Sequence, residues 1–135
     1  MYSDAAVFVF ALWSDERLPN VAASKRFVES VVRGDRRIAT SVLTWDEVVY
    51  TVRRLHGPED SADKAEDLLS LPNVAWVPVD LSLIRRASAL YRALPILPRD
   101  AIHAASAIVA GEQEVVSEDR VFDRVPGITR VWPPP

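Results

Sequence analysis

Short apolar runs alternate with amphipathic stretches along the whole chain. That alternation is the pattern of βα units, and it constrains the chain to an α/β domain with a central, mostly parallel β-sheet flanked by α-helices. The first run, Tyr2–Trp13, is apolar except at Ser3 and Asp4, and fits either a strand alone or a strand turning into a helix. Further strands are expected at Arg37–Ser41, Val74–Val79, Glu114–Ser117 and Ile128–Trp132. Val74–Val79 is nearly all apolar, as for a strand covered on both faces, with Pro78 limiting its pairing.

Helices fill the gaps. Asn20 is the candidate cap of one whose apolar face is Ala23, Phe27, Val28, Val31 and Val32, ended by Gly34. Ser41 is placed to cap another, with Trp45, Val48, Val52 and Leu55 in line and His56-Gly57-Pro58 as its stop. Trp45 and Trp76 both sit at core-facing spacings. Ser61–Leu71 reads as a shorter helix, and Asp80 caps one that aligns Ile84, Ala87, Ser88 and Tyr91. Pro98 opens an alanine-rich helix reaching Gly111, with Ala101, Ala104, Ala105, Ile108 and Val109 as its core face. Asp119–Arg124 reads as a helical turn. A chain of 135 residues makes one domain, 1–135, whose tail Pro133–Pro135 is expected to fray.

Composition removes several kinds of chemistry. There is no cysteine, so thiolate metal sites, disulfides and thiol nucleophiles are excluded. Two histidines, His56 and His103, cannot make a histidine-rich centre, so any metal must be held mainly by oxygen, which points to Mg2+ or Mn2+. The net charge of −3 argues against non-specific wrapping of nucleic acid, although all the cationic residues except Lys25 and Lys64 are arginine, the better partner for phosphate. The pairs Arg36-Arg37, Arg53-Arg54 and Arg85-Arg86 fit either RNA phosphates or a solvated face. The stretch Ala5–Trp13 is too short to span a membrane and follows an acid rather than a basic segment, so a cytoplasmic protein is expected.

Four acids stand apart from the solvated ones. Asp4 interrupts an apolar run at the end of the first strand, and Glu47 lies one turn into the helix after the second. Asp100 opens the alanine-rich helix, and Asp119 follows a strand almost directly. Each alone has an ordinary reading as a helix cap, dipole partner or exposed side chain. Together they fall at the carboxyl edge of a parallel sheet, where ligands bind. Carboxylates gathered there would raise one another's pKa unless a hard divalent cation joined them. Such a cation activates water and stabilises charge on a phosphate, which favours phosphodiester hydrolysis.

These residues also carry a family resemblance. Tyr2-Ser3-Asp4 with Val7-Phe8-Val9, Thr40-Ser41-Val42-Leu43 with Glu47-Val48, Arg99-Asp100-Ala101-Ile102-His103-Ala104-Ala105, and Ser117-Glu118-Asp119 with Phe122-Asp123 resemble, in order, the four acidic motifs of PIN domains. The chain resembles in particular the VapC-like toxins of VapBC toxin–antitoxin systems. The resemblance implies a Mg2+- or Mn2+-dependent endoribonuclease that cuts RNA, forms a homodimer and is held inactive by a VapB-like antitoxin. It implies Asp4, Glu47, Asp100 and Asp119 as metal-binding and catalytic acids. Ser117, Asp123 and His103 would stand behind them.

One departure is clear: the family's Thr or Ser, then Asn, after the first acid is replaced by Ala5 and Ala6. Those alanines remove groups that could orient Asp4, and they favour the alternative of a weak or inactive PIN-like module that binds RNA or protein. A response-regulator receiver would need a lysine after its last functional strand, and an aspartyl phosphatase a second acid where Ala6 stands, so neither fits.

Overall fold

The computed structural model describes residues 1–12 and 17–135. Five parallel strands form one sheet in the order β3-β2-β1-β4-β5. They are β1 (Tyr2–Ser3), β2 (Ile38–Ser41), β3 (Val74–Val77), β4 (Glu114–Val116) and β5 (Thr129–Val131). The helices between them are α1 (Ala5–Ala11), α2 (Pro19–Val32), α3 (Val42–His56), α4 (Pro58–Leu69), α5 (Leu81–Ala93) and α6 (Pro98–Val109), with a 3-10 turn at Arg120–Arg124.

The first apolar run is a strand that turns into a helix. Asp4 has extended backbone, and its carboxylate accepts the Ala6 N–H at 3.0 Å, so β1 stops after two residues and α1 begins at once. Trp13, the last residue of that run, lies outside the described residues. Ser41 caps α3 through the Leu43 N–H at 3.1 Å, and Asp80 caps α5 through the Leu83 N–H at 2.8 Å.

Two helix starts differ from the sequence-based expectation for one reason. Proline, with its φ already helical and no N–H to lose, takes the first position. α2 therefore begins at Pro19, leaving Asn20 inside the helix, and α4 begins at Pro58, ahead of Ser61. Gly57, at φ 93°, lets the chain end α3 and open α4 without an intervening loop. β3 stops at Val77, just before Pro78.

Strand side chains alternate between two apolar layers. Tyr2, Ala39 and Val115 face α5, α6 and the 3-10 turn, with Leu83, Ala87 and Phe122 packed there. Ile38 and Val116 face the other way, with Phe8, Phe27, Val48 and Leu68 from α1 to α4. The result is a helix–sheet–helix sandwich. α6 lies close to the sheet because Ala101, Ala104, Ala105 and Ala107 are almost completely buried and carry no bulk.

The larger Ile108 and Val109, expected in that core face, fall in the last turn and are exposed. Trp45 is also exposed at the surface of α3, whereas Trp76 packs against the second apolar layer. On α5 the buried residues are Leu83 and Ala87, one turn apart, while Ile84 and Tyr91 stay exposed. In the tail, Pro134 is buried between exposed neighbours. Among the described residues, no helix is long and apolar enough to cross a membrane.

Candidate active site

Sheet order reverses at β1. The chain runs from β1 towards β2 and β3 on one side, then returns to place β4 and β5 on the other. A crevice opens beyond the carboxyl ends of β1 and β4, as at any such switch point. Asp4 follows β1, and Ser117-Glu118-Asp119 follows β4; the Asp4 N–H to Val116 carbonyl bond of 3.2 Å continues the ladder between them. α3 brings Glu47 to the crevice, and the first turn of α6 brings Asp100.

All four acids expected from the sequence line one cavity of about 210 Å³. Glu118 lines it too, a fifth carboxylate that sequence spacing alone did not single out beside Asp119. Ser117 is fully buried under the rim, and its hydroxyl accepts the Asp119 N–H at 3.0 Å. Asp123 is not among the lining residues. It pairs with Arg130 Nε at 3.0 Å.

Three of the acids are also helix starters. Asp4 accepts the Ala6 N–H, Asp119 the Val121 N–H at 2.9 Å, and Asp100 reaches back to the Leu97 N–H at 3.2 Å. Capping and convergence are therefore not rival explanations, because the helix starts are what aim these side chains at the crevice. As they stand, no three acid or imidazole side chains among the described residues form a closed metal-ligand set.

Glu47 is held differently. His103 Nε2 lies 2.8 Å from Glu47 Oε2, and His103 Nδ1 lies 2.7 Å from the Tyr2 hydroxyl. That hydroxyl, fully buried, also accepts the Ser41 N–H at 3.1 Å. A carboxylate can only accept, so Nε2 carries a proton and donates to Glu47; in the neutral form of the imidazole Nδ1 is then an acceptor and takes the phenol proton, while the Ser41 amide donates to the phenol oxygen. Burial pushes the Tyr2 phenol well above its ordinary pKa, which secures that proton. Arg99 comes within 4.0 Å of Glu47 Oε1, but it is largely exposed and contributes little to holding it.

Burial pushes the Asp4 carboxyl up to about 6, against the Ser117 hydroxyl and the Ala6 N–H; the charge on Glu47 adds to the rise. Asp100 is raised as well, first by burial and then by the charges on Asp119 and Glu47, with the Leu97 N–H opposing. A site that disfavours its own negative charge and is lined by carboxylates, with its one imidazole already engaged by Glu47 and Tyr2, fits a hard divalent cation. Ala5 and Ala6 do not leave Asp4 unsupported, since the backbone of Ala6 and the side chain of Ser117 both bond to it. Ala5 itself is packed in the apolar layer under α1.

The PIN-domain family model matches residues 1–128. The chain belongs to the PIN-domain family. At the level of sequence, no curated protein matches it. In fold, this PIN domain is similar to a toxin–antitoxin complex from Klebsiella pneumoniae, with 20% identity over 98% of this chain and 96% of that one, at a TM-score of 0.67. It is similar to VapBC2 of Rickettsia felis, solved bound to a promoter DNA fragment, with 18% identity over 96% of each chain and a TM-score of 0.70. It is also similar to VapC20 of Mycobacterium tuberculosis, a toxin that cleaves the sarcin–ricin loop, with 17% identity over 88% of this chain and 89% of that one at a TM-score of 0.67. At these identities the likeness is one of fold.

Two outcomes follow from the electrostatics. Asp4 binds its proton more tightly folded than unfolded, so its ionisation removes stability as pH rises from about 4 to about 6. Asp4→Asn keeps the cap to Ala6 and removes that penalty. We expect the variant to be more stable than wild type by up to about 3 kcal/mol above pH 6, with the gap closing towards pH 4. Thermal melts across that range measure it, and a variant that is less stable at pH 7.5 would refute the buried-charge account. In Tyr2→Phe, Nδ1 of His103 loses its donor. The imidazole 15N resonances should move from those of an Nε2–H tautomer towards a mixture, and unchanged resonances would show that Tyr2 does not set the tautomer.

Proposed function

We propose that this PIN domain is a metal-dependent endoribonuclease, the toxin component of a type II toxin–antitoxin system. The observation that carries the reading is the gathering of Asp4, Glu47, Asp100 and Asp119 in one cavity at the switch point of the sheet. The donor set is all oxygen, as Mg2+ or Mn2+ prefers. In this reading those four acids hold the cation, with Ser117 orienting Asp4 and His103 orienting Glu47. When bound, the cation supplies an acidified water and stabilises charge on the scissile phosphate. The protein's own part is to aim the carboxylates through the caps of α1, α6 and the 3-10 turn.

Support for RNA as substrate and an antitoxin as partner comes from the fold neighbours, which include a sarcin–ricin-loop-cleaving toxin and toxin–antitoxin complexes. We place the protein in the cytoplasm, as a homodimer that binds a VapB-like antitoxin. Exposed Leu81, Ile84, Tyr91 and Ile108 on α5 and α6 suit an interface of that kind.

The deciding experiment is cleavage of a labelled single-stranded RNA with Mn2+ present. Activity should vanish in EDTA and fall in Asp100→Asn by at least the ~10–100-fold that removing a ligand-orienting group costs. Cleavage that survives EDTA would overturn the metal, and an undiminished Asp100→Asn would remove that residue from the site. No cleavage at any metal concentration would leave the PIN-like binding module as the function. Coexpression with a VapB-like antitoxin, if one is encoded beside this gene, should yield a complex in which cleavage is suppressed, and the free protein should size as a dimer. A monomer indifferent to such a neighbour would contradict both partners.

A further inference from the structure

Next to the acid cavity lies a wider cleft of about 380 Å³, and the two share Asp100 and Asp119 as a common wall. Arg120 and Arg124 line the cleft, with Ile96, Leu97 and Val121 as its apolar surface. The arginine pairs conspicuous in the sequence are elsewhere: none of Arg36, Arg37, Arg53, Arg54, Arg85 and Arg86 lines either cavity. Arg36 instead lies over the Phe27 ring and Arg54 over Tyr50.

Arg124 is anchored before any ligand arrives. Its Nη1 donates to the Pro95 carbonyl at 3.1 Å, tying the 3-10 turn to the segment ahead of α6. A guanidinium has five N–H donors in a planar fork, so one such bond orients the group and leaves most of its donors for a ligand. Arg120 is exposed and adjoins Asp119 directly. Leu97 is 69% exposed, although its backbone is fixed by the Asp100 carboxylate. An exposed leucine and two arginines lining one cleft make a surface that is at once apolar and cationic.

We propose that this cleft is the subsite for the nucleotide adjoining the scissile phosphate of a single-stranded RNA, with Arg120 and Arg124 on its phosphate and Leu97 and Val121 against its base. The assignment rests on the nuclease reading of the neighbouring acids. Without a bound cation, an acid cavity in a chain of net charge −3 repels an RNA backbone, and Arg120 and Arg124 set beside it supply attraction that the acids cannot. A ligand with a repeating negative charge and a flat apolar face matches both linings. The base must be out of a duplex stack to reach the apolar wall, which selects looped or single strands.

Binding is measured by fluorescence anisotropy of a labelled RNA oligonucleotide, with Ca2+ in place of Mn2+, across a salt series. Arg120→Ala/Arg124→Ala should weaken binding at least 10-fold and flatten the salt dependence by about 0.7 in log–log slope for each phosphate that is no longer neutralised. Arg120→Lys/Arg124→Lys keeps both charges without the forks, and should bind between the two with the wild-type slope. Leu97→Ser should weaken binding with no change in slope. Arg85→Ala/Arg86→Ala, on the exposed side of α5, should bind as wild type does. Wild-type affinity and slope in the double alanine variant would overturn the cleft, as would displacement of the RNA by poly-glutamate as readily as by unlabelled RNA. Cleavage by wild type in Mn2+ is scored separately. A wild type that cuts, beside a double variant that binds normally, sinks the cleft and spares the nuclease. A wild type that never cuts, beside a double variant that binds poorly, does the reverse.

Discussion

A buried carboxylate at the end of the shortest strand governs this structure. Asp4 starts α1 by accepting the Ala6 N–H, and it stands where β1 and β4 part to form the crevice. Its burial drives its pKa up to about 6, so near neutral pH the fold holds a charge it disfavours. The surroundings soften that cost without removing it. An amide and the Ser117 hydroxyl bond to the carboxylate, while Glu47 works against it. A core built only for stability would place an apolar side chain here. The retained acid gives the crevice an unmet demand for positive charge, and the neighbouring carboxylates deepen it.

Much of this is legible in the chain. The alternation of short apolar runs with amphipathic stretches, and the caps at Ser41 and Asp80, place the strands and helices within a few residues, because those signals are local. Asp4, Glu47, Asp100 and Asp119 can be linked because each sits where a strand ends or a helix begins, and a parallel sheet puts such places on one edge. Competing local signals mislead elsewhere: Pro19 outranks Asn20, and Pro58 outranks Ser61, as helix starts. Along α6, burial follows the alanines that let the helix approach the sheet, and the bulkier Ile108 and Val109 fall outside it. Arginine pairs draw attention by adjacency, yet adjacency says nothing about which cavity a side chain lines. Arg120 and Arg124 emerge only from the packing of the 3-10 turn against Pro95.

His103 shows the same limit from another side. Three residues from Asp100, it invites a direct role at that acid. In the fold its partners are Tyr2, at a separation of 101 residues, and Glu47, at 56. Tyr2 belongs to the core, with no exposed surface, and its ring packs edge-on to the imidazole at 5.9 Å between centroids. The strand interior thus reaches the crevice through one phenol and one imidazole, and the apolar packing that fixes β1 also fixes Glu47. No spacing rule along the chain encodes that link, because it passes between strand and helix rather than along either.

The caps and the relay divide the work of holding the acids. Backbone amides donate to the carboxylates of Asp4, Asp100 and Asp119 and steady them; at Asp4 and Asp100 those bonds oppose the rise that burial causes. Those amides cannot leave, since each belongs to a helix or turn that the acid itself initiates. Glu47 lies inside a helix, past the first turn, where no free amide remains, so a side chain must do the same task. His103 is the donor within reach, and Tyr2 bonds its other nitrogen. Three acids set at strand and helix ends by local sequence thus need one long-range contact to bring in the fourth, and that contact runs through the first strand of the sheet.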